Sequence, residues 1–302
     1  MRWTHTKAHA RRHSPGCERR HSPGCERGGQ RLRGPRASRA STPLFALLLF
    51  VATLPAVASA QPPAPADARL WSNGSALTLP EGRVEGGLSH ATRWGVDDNI
   101  EVGAHPLLEL ILPHVEAKVR WLHRGAFTLS TWHRVSYPTR LLNVVSREGT
   151  AGLLPANTLA PIVVGFDTSF FATLSSPNER FHGTLELGLS LAPRLRRGDS
   201  VVLDFPFLYS RFAAVSSFGS TYAGLAFTGV LSDHFSLSAD LRFTNVDVVP
   251  HGYILEEGAS LTWYPTKHFG LALGYRVAHG RYPVGVRTHW MPTIDLSFGS
   301  GG

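Results

Sequence analysis

The chain has 302 residues, of which 43% are hydrophobic, with 30 Lys and Arg against 22 Asp and Glu and a formal net charge of +8. Residues 1–60 hold 11 basic and 2 acidic residues, which leaves 19 basic and 20 acidic residues, a net of −1, for everything after position 60. The high pI therefore belongs to the N-terminal stretch and argues against a nucleic-acid partner. Both cysteines, Cys17 and Cys25, lie in that stretch as well, which excludes a disulfide, a thiolate metal site or a cysteine nucleophile in the remainder.

Residues 1–42 read as a disordered basic leader carrying a tandem copy, Arg12–Arg19 followed by Arg20–Arg27. The four-residue step of His13/Cys17 and His21/Cys25 suggests a zinc site, but the stretch has no apolar content to fold around. A start codon assigned too far upstream also accounts for the length. Residues 43–60 read as a signal peptide: an apolar run from Leu44 to Leu54, Pro55, then Ala58-Ser59-Ala60, with cleavage after Ala60. An inner-membrane anchor is the competing reading, weakened by Pro55 and by a length short of the ~20 residues a span needs. No cysteine follows the segment to take a lipid. Residues 61–76 form a Pro/Ala-rich linker, and 77–302 the body.

The body alternates with period two. In Phe235–Thr244, Phe235, Leu237, Ala239, Leu241 and Phe243 share one face, with Ser236, Ser238, Asp240, Arg242 and Thr244 on the other. Turn signals such as Asp97-Asp98-Asn99, Ser176–Glu179 and Ser232-Asp233 separate such segments. They predict strands at 83–95, 99–105, 114–122, 126–137, 161–174, 181–193, 200–213, 219–231, 235–247, 253–264, 268–279 and 290–298. Many exceed the average soluble strand of about five or six residues. The fold expected is all-β: a transmembrane antiparallel up-and-down β-barrel of about 12 strands, within a range of 10–14.

In such a barrel the apolar face meets lipid and the polar face lines the lumen. The lumen-lining candidates are Glu116, Lys118, Arg120, Arg134, Asp167, Glu186, Asp204, Asp240, Arg242, Arg276 and Asp295. Trp94, Trp121, Tyr137, Tyr209, Trp263, Tyr264, Tyr282 and Trp290 fall near segment ends, as interfacial girdles do, although aromatics also favour strands in general. Two segments break the rhythm. Pro106–Pro113 is a continuous apolar run, and Arg140–Pro161 is a long connection whose Leu141–Val145 suits a short helix. Surface loops are preferred over lumen plugs for both, and a gate is sought there first.

The run Arg93–Gly103 resembles hairpins of Gram-negative outer-membrane β-barrel proteins, and His105–Trp121 is similar to uncharacterised barrel-like proteins of myxobacteria and their relatives. Thr293–Phe298 resembles the C-terminal strand signal read by the barrel-assembly machinery, here followed by Gly299–Gly302. The resemblance covers about residues 80–298. It implies an outer-membrane location, with lipid and the assembly machinery as partners, and carries no substrate.

Eleven histidines follow the leader, scattered singly, with no Gly-x-Ser-x-Gly, His-Glu-x-x-His or phosphate-cradling loop. No catalytic, cofactor or metal-binding residue is assigned. The function expected is a passive, porin-like pore or structural barrel with a charged lumen. The alternatives are a lipid-modifying hydrolase or acyltransferase of the outer membrane, marked by a Ser or Asp beside a His, and a soluble periplasmic lipid-binding barrel with its apolar face inward.

Overall fold

The computed structural model describes residues 72–147, 154–155, 158–196, 198–199, 201–266 and 268–300. The expected leader, signal and Ala60 cleavage site lie outside these residues. Fourteen strands follow the chain: β1 (Val84–Gly87), β2 (Thr92–Asp97), β3 (Ile100–Ala104), β4 (His114–Arg124), β5 (Phe127–Ser136), β6 (Ile162–Val163), β7 (Gly165–Ser175), β8 (Phe181–Leu191), β9 (Arg194–Arg196), β10 (Gly219–Ser232), β11 (Phe235–Asn245), β12 (Tyr253–Thr266), β13 (Phe269–Tyr282) and β14 (Gly285–Ser300). Twelve close into one antiparallel barrel in which each strand pairs with the next, while β6 and β9 form a separate two-stranded sheet within the loops. No described helix is long and apolar enough to cross a membrane.

The two faces of the wall are inverted relative to a water-soluble barrel. Along β7, Ser169 and Thr173 are buried while Phe166, Phe170 and Leu174 are exposed; along β11, Ser236 and Thr244 are buried while Leu241 and Phe243 are exposed. Closing the sheet leaves one enclosed face, and the alternation sends the polar set to it. A soluble binder with an apolar interior needs the opposite assignment, so that alternative is not what this sequence builds.

The strand number matches the expectation through two errors that cancel. Residues 83–95 are not one strand but a hairpin, β1 and β2, because Gly87–Ala91 bends the chain back. Of the expected strand 200–213, the described residues 201–213 form none. They run through a loop into helices α2 (Leu208–Arg211) and α3 (Ala213–Ser217), preceded in the chain by α1 (Thr139–Val145). Their alternation is satisfied by loop packing instead: Val201, Leu203, Phe212 and Val215 join Leu142 and Val145 of α1 in an apolar cluster. Pro106–Pro113 is an exposed loop with a 3₁₀ turn at Leu108–Leu110.

Most short connections lie at one end of the barrel, here the turn end: Asp98-Asn99, Gly125-Ala126, Ser176–Arg180 and Asp233-His234, with Pro283-Val284 the exception at the other end. The other, loop end carries the described parts of 137–164 and 192–218. Outward aromatics mark both ends. Phe235 opposes Trp263 and Phe269 opposes Phe298 at the turn end. Phe243 stacks on Tyr253 at the loop end, with Trp290 opposite Val277. Tyr209, Tyr264 and Tyr282 do not belong to these rings. They are buried, because their strand parity or helix position turns them inward.

Candidate functional site

The enclosed space holds three groups of side chains. At the turn end, Ser72–Leu79 folds inside the wall. Ala76 N–H donates to Thr173 Oγ1 at 2.8 Å and Leu79 N–H to Glu101 Oε2 at 2.9 Å. Lys118 Nζ donates to the carbonyls of Ser72 and Leu77 at 2.8 and 3.0 Å. The last residues of the expected linker are thus part of the barrel's filling. Lys118, only 3% exposed, also pairs with Glu101 at 3.0 Å. Arg93 lies 3.3 Å from Glu101 and 3.6 Å from Glu85, and Arg83 lies 3.1 Å from Glu85. A carboxylate or ammonium taken from water is costly unless paired, and each of these has a partner.

Toward the loop end the barrel holds a cavity of about 60 Å³ lined by Trp132, Arg134, Asp167, Ser190, Ser210, Arg211, Tyr222, Arg242 and Thr244. That is room for about two waters. Arg134 pairs with Asp167 at 2.8 Å, and Ser190 donates to the same carboxylate. Arg242 pairs with Glu186 at 3.2 Å and lies 3.9 Å over the Tyr222 ring. Tyr222 hydrogen-bonds Ser169 at 2.7 Å. Gly188 makes this stack possible, because a Cβ there would come within 2.0 Å of the tyrosine ring.

At the loop end α2 dips into the wall. Ser210 and Arg211 both donate to buried Glu256 of β12, the latter at 3.0 Å. Arg276 stands 3.2 Å from Asp240 and 4.0 Å from Glu256. Tyr209 packs on Tyr282 with ring centroids 5.1 Å apart. Burial, with Asp204 and Tyr282 adding, pushes its phenol up to about 12.

Among the residues expected to line the lumen, the structure brings together Arg134 with Asp167, Arg242 with Glu186 and Arg276 with Asp240. Lys118 meets a partner outside that set. Glu116 shares the strand parity of Lys118 and stands in register with Arg134. Arg120 donates to Asn99 Oδ1 at 3.2 and 3.1 Å from two nitrogens. Asp295 accepts from Ser89 N–H at 2.9 Å and meets His90 at 3.1 Å. Asp204 is the correction: it lies exposed on the loop before α2, because 201–213 is not a strand.

Glu85, Arg93, Glu101, Arg211 and Glu256 join the enclosed charges without being among the residues expected there. Glu101 was legible, since it alternates with Ile100 and Val102. Glu85 and Arg93 were hidden by reading a hairpin as one strand. Glu256 has a neighbour, Glu257, and parity alone does not say which of two adjacent glutamates turns inward.

Among the described residues Ser175 contacts His182 at 2.8 Å and His90 contacts Asp295 at 3.1 Å. Neither has both a nucleophile and an orienting acid. Outward His133 sits between Thr131 and Thr168 at 3.1 and 3.2 Å. Among the described residues no group of three or more metal-type ligands converges. Paired charges of both signs around a narrow space can solvate small polar species.

Neither protein-family models nor curated protein sequences match the chain. Among solved structures it is similar to an outer membrane channel from Pseudomonas putida F1, at 11% identity and a TM-score of 0.48, over 75% of this chain and 98% of that one. It is also similar to the outer-membrane expressed OmpT of Vibrio cholerae, at 10% identity and a TM-score of 0.39, over 74% of this chain and 66% of the other, just under two thirds of that protein's length. The translocator domain of the autotransporter NalP from Neisseria meningitidis matches at 11% identity and a TM-score of 0.34, over 73% and 86% of the two chains. At these values the comparisons carry no argument about activity; the closed barrel itself is the finding on which the rest stands.

Proposed function

We propose that the chain is an outer-membrane β-barrel that admits small polar solutes through a lumen obstructed at both ends. The observation that carries this reading is the inversion of the wall, with ionised side chains enclosed and Leu, Phe and Trp outside. An Arg or Lys facing hydrocarbon at mid-depth costs about 2–4 kcal/mol, which the alternation avoids. Short turns at one end and long loops at the other suit a barrel with its turns in the periplasm. The signal at 43–60 supplies the export route and the barrel-assembly machinery the insertion step. Ser72–Leu79 then obstructs the periplasmic half and α2 the outer half, where its Ser210 and Arg211 line the charged cavity.

A non-conducting structural barrel is the second reading, favoured by the 60 Å³ cavity and the completeness of its ion pairs. The deciding experiment begins with gel mobility of unboiled against boiled protein from outer membranes, where a shift is expected. Conductance of the reconstituted barrel is then compared with that of a variant lacking residues 72–79. Larger current steps in the variant support the pore. Equal silence in both, with the mobility shift retained, supports the structural barrel.

A further inference from the structure

The barrel closes through its shortest strand, β1 with 4 residues, against its longest, β14 with 16. They pair over Val84–Gly87 and Ser297–Ser300, and Leu88 N–H adds one bond to Leu296 O at 2.9 Å. Backbone groups alternate sides along a strand, so Ile294, Pro292, Trp290, Thr288 and Val286 present theirs to the same side as Leu296. β13 holds the opposite edge of β14 along its whole length, from Phe269 to Tyr282. The described backbone shows no strand bonded to the β1 side of β14 above Leu296.

From Leu296 to Trp290 this open edge lies within the apolar band. Outward Phe298 and Trp290 are eight residues apart on β14, the latter 66% exposed. That is ~26 Å along the strand, or roughly 20 Å of barrel height at ~40° of tilt, close to the ~25 Å band of such barrels. Open backbone edges are not tolerated against lipid tails. Pairing with another strand is blunted by Pro292, whose missing N–H falls on the open side. What meets the edge must therefore be polar while sitting beside hydrocarbon.

The surroundings have that dual character. The floor is Leu88–His90, tied to Asp295 through Ser89 and His90 and to His105, whose Nε2 lies 3.1 Å from Leu88 O. From His105 the chain continues into the Pro106–Pro113 loop, where Leu107 and Leu110 are exposed. Met291, turned inward by its parity, is nevertheless 40% exposed. From this we infer that the gap beside β14 is a lateral slot for a membrane lipid: its polar headgroup meets the open backbone, His90 and Asp295, and its acyl chains lie outside against Ile294, Trp290 and the Leu107–Ile111 loop. The slot rests on the membrane-spanning reading above and gives amphiphiles a sideways route toward the lumen.

The test reconstitutes the full chain in phosphatidylethanolamine vesicles doped with a lipid carrying a diazirine on its headgroup or, separately, at its chain end. Peptide mass spectrometry then locates the adducts. The headgroup probe is expected on Met291, Thr293 and Ser89–His90, and the chain-end probe on Ile294 and on Leu225 of the far wall. Thr293→Trp is expected to abolish the headgroup adduct at Met291 and to leave chain-end labelling of Leu225 unchanged. Headgroup adducts confined to the rim loops, with Leu225 still labelled by the chain-end probe, overturn the slot. Absence of chain-end labelling at Leu225 instead overturns the membrane-spanning reading.

Discussion

Glu101 and Lys118 are register partners on β3 and β4, and their charged atoms lie 3.0 Å apart inside the wall. Each also holds the internal segment, Glu101 through Leu79 N–H and Lys118 through two carbonyls. The pair thus joins the barrel wall to its filling. Removing Glu101 leaves the buried Lys118 ammonium without its carboxylate, which costs about 3–5 kcal/mol. Glu101→Ala is expected to lower unfolding stability in detergent by that amount, and Glu101→Met with Lys118→Met by much less. Equal losses for the single and double variants would count against a buried pair.

The stack of Arg242 on Tyr222 depends on the bare backbone of Gly188. Gly188→Val forces the ring off the wall, an overpacking of about 1–3 kcal/mol. The displaced ring also loses its bond to Ser169. Urea midpoints should fall for Gly188→Val and much less for Gly188→Val combined with Tyr222→Ala, which removes the clash.

Tyr209 provides a pH signature for α2. Its phenol titrates at about 12 in the folded barrel, against about 10 for an unfolded tyrosine. The folded state therefore keeps a proton that the unfolded state gives up. This contribution to stability is complete below pH 10 and is lost as pH rises toward 12. Tyr209→Phe should flatten the decline of the melting temperature over that interval, and a decline as steep as in the parent would show that Tyr209 is not held in place.

The outer wall offers a direct measure of its solvent. Leu225 is exposed at mid-strand on β10. Leu225→Arg is expected to cost about 2–4 kcal/mol for refolding into lipid vesicles. A cost near zero would mean that this face meets water.

The period-two pattern made the barrel legible because side-chain direction in a strand depends only on neighbouring residues. The same rule identified Arg134, Asp167, Glu186, Asp240, Arg242 and Arg276 as one polar set, and their pairing follows from register. It failed at 83–95, where a bend of a few residues leaves the alternation nearly intact, and at 200–213, where apolar residues alternate but pack on α1. Asp204 went astray with that segment.

What the sequence determined alone is local: strand parity, the polar and apolar sides and the turns between them. Tertiary structure decided what required distant residues to meet. The placement of Ser72–Leu79 inside the wall, the descent of α2 onto Glu256 and the closure of a short β1 on a long β14 each depend on contacts between segments far apart in the chain. Such contacts are selected by shape and charge once the sheet has closed, and no period in the chain encodes them.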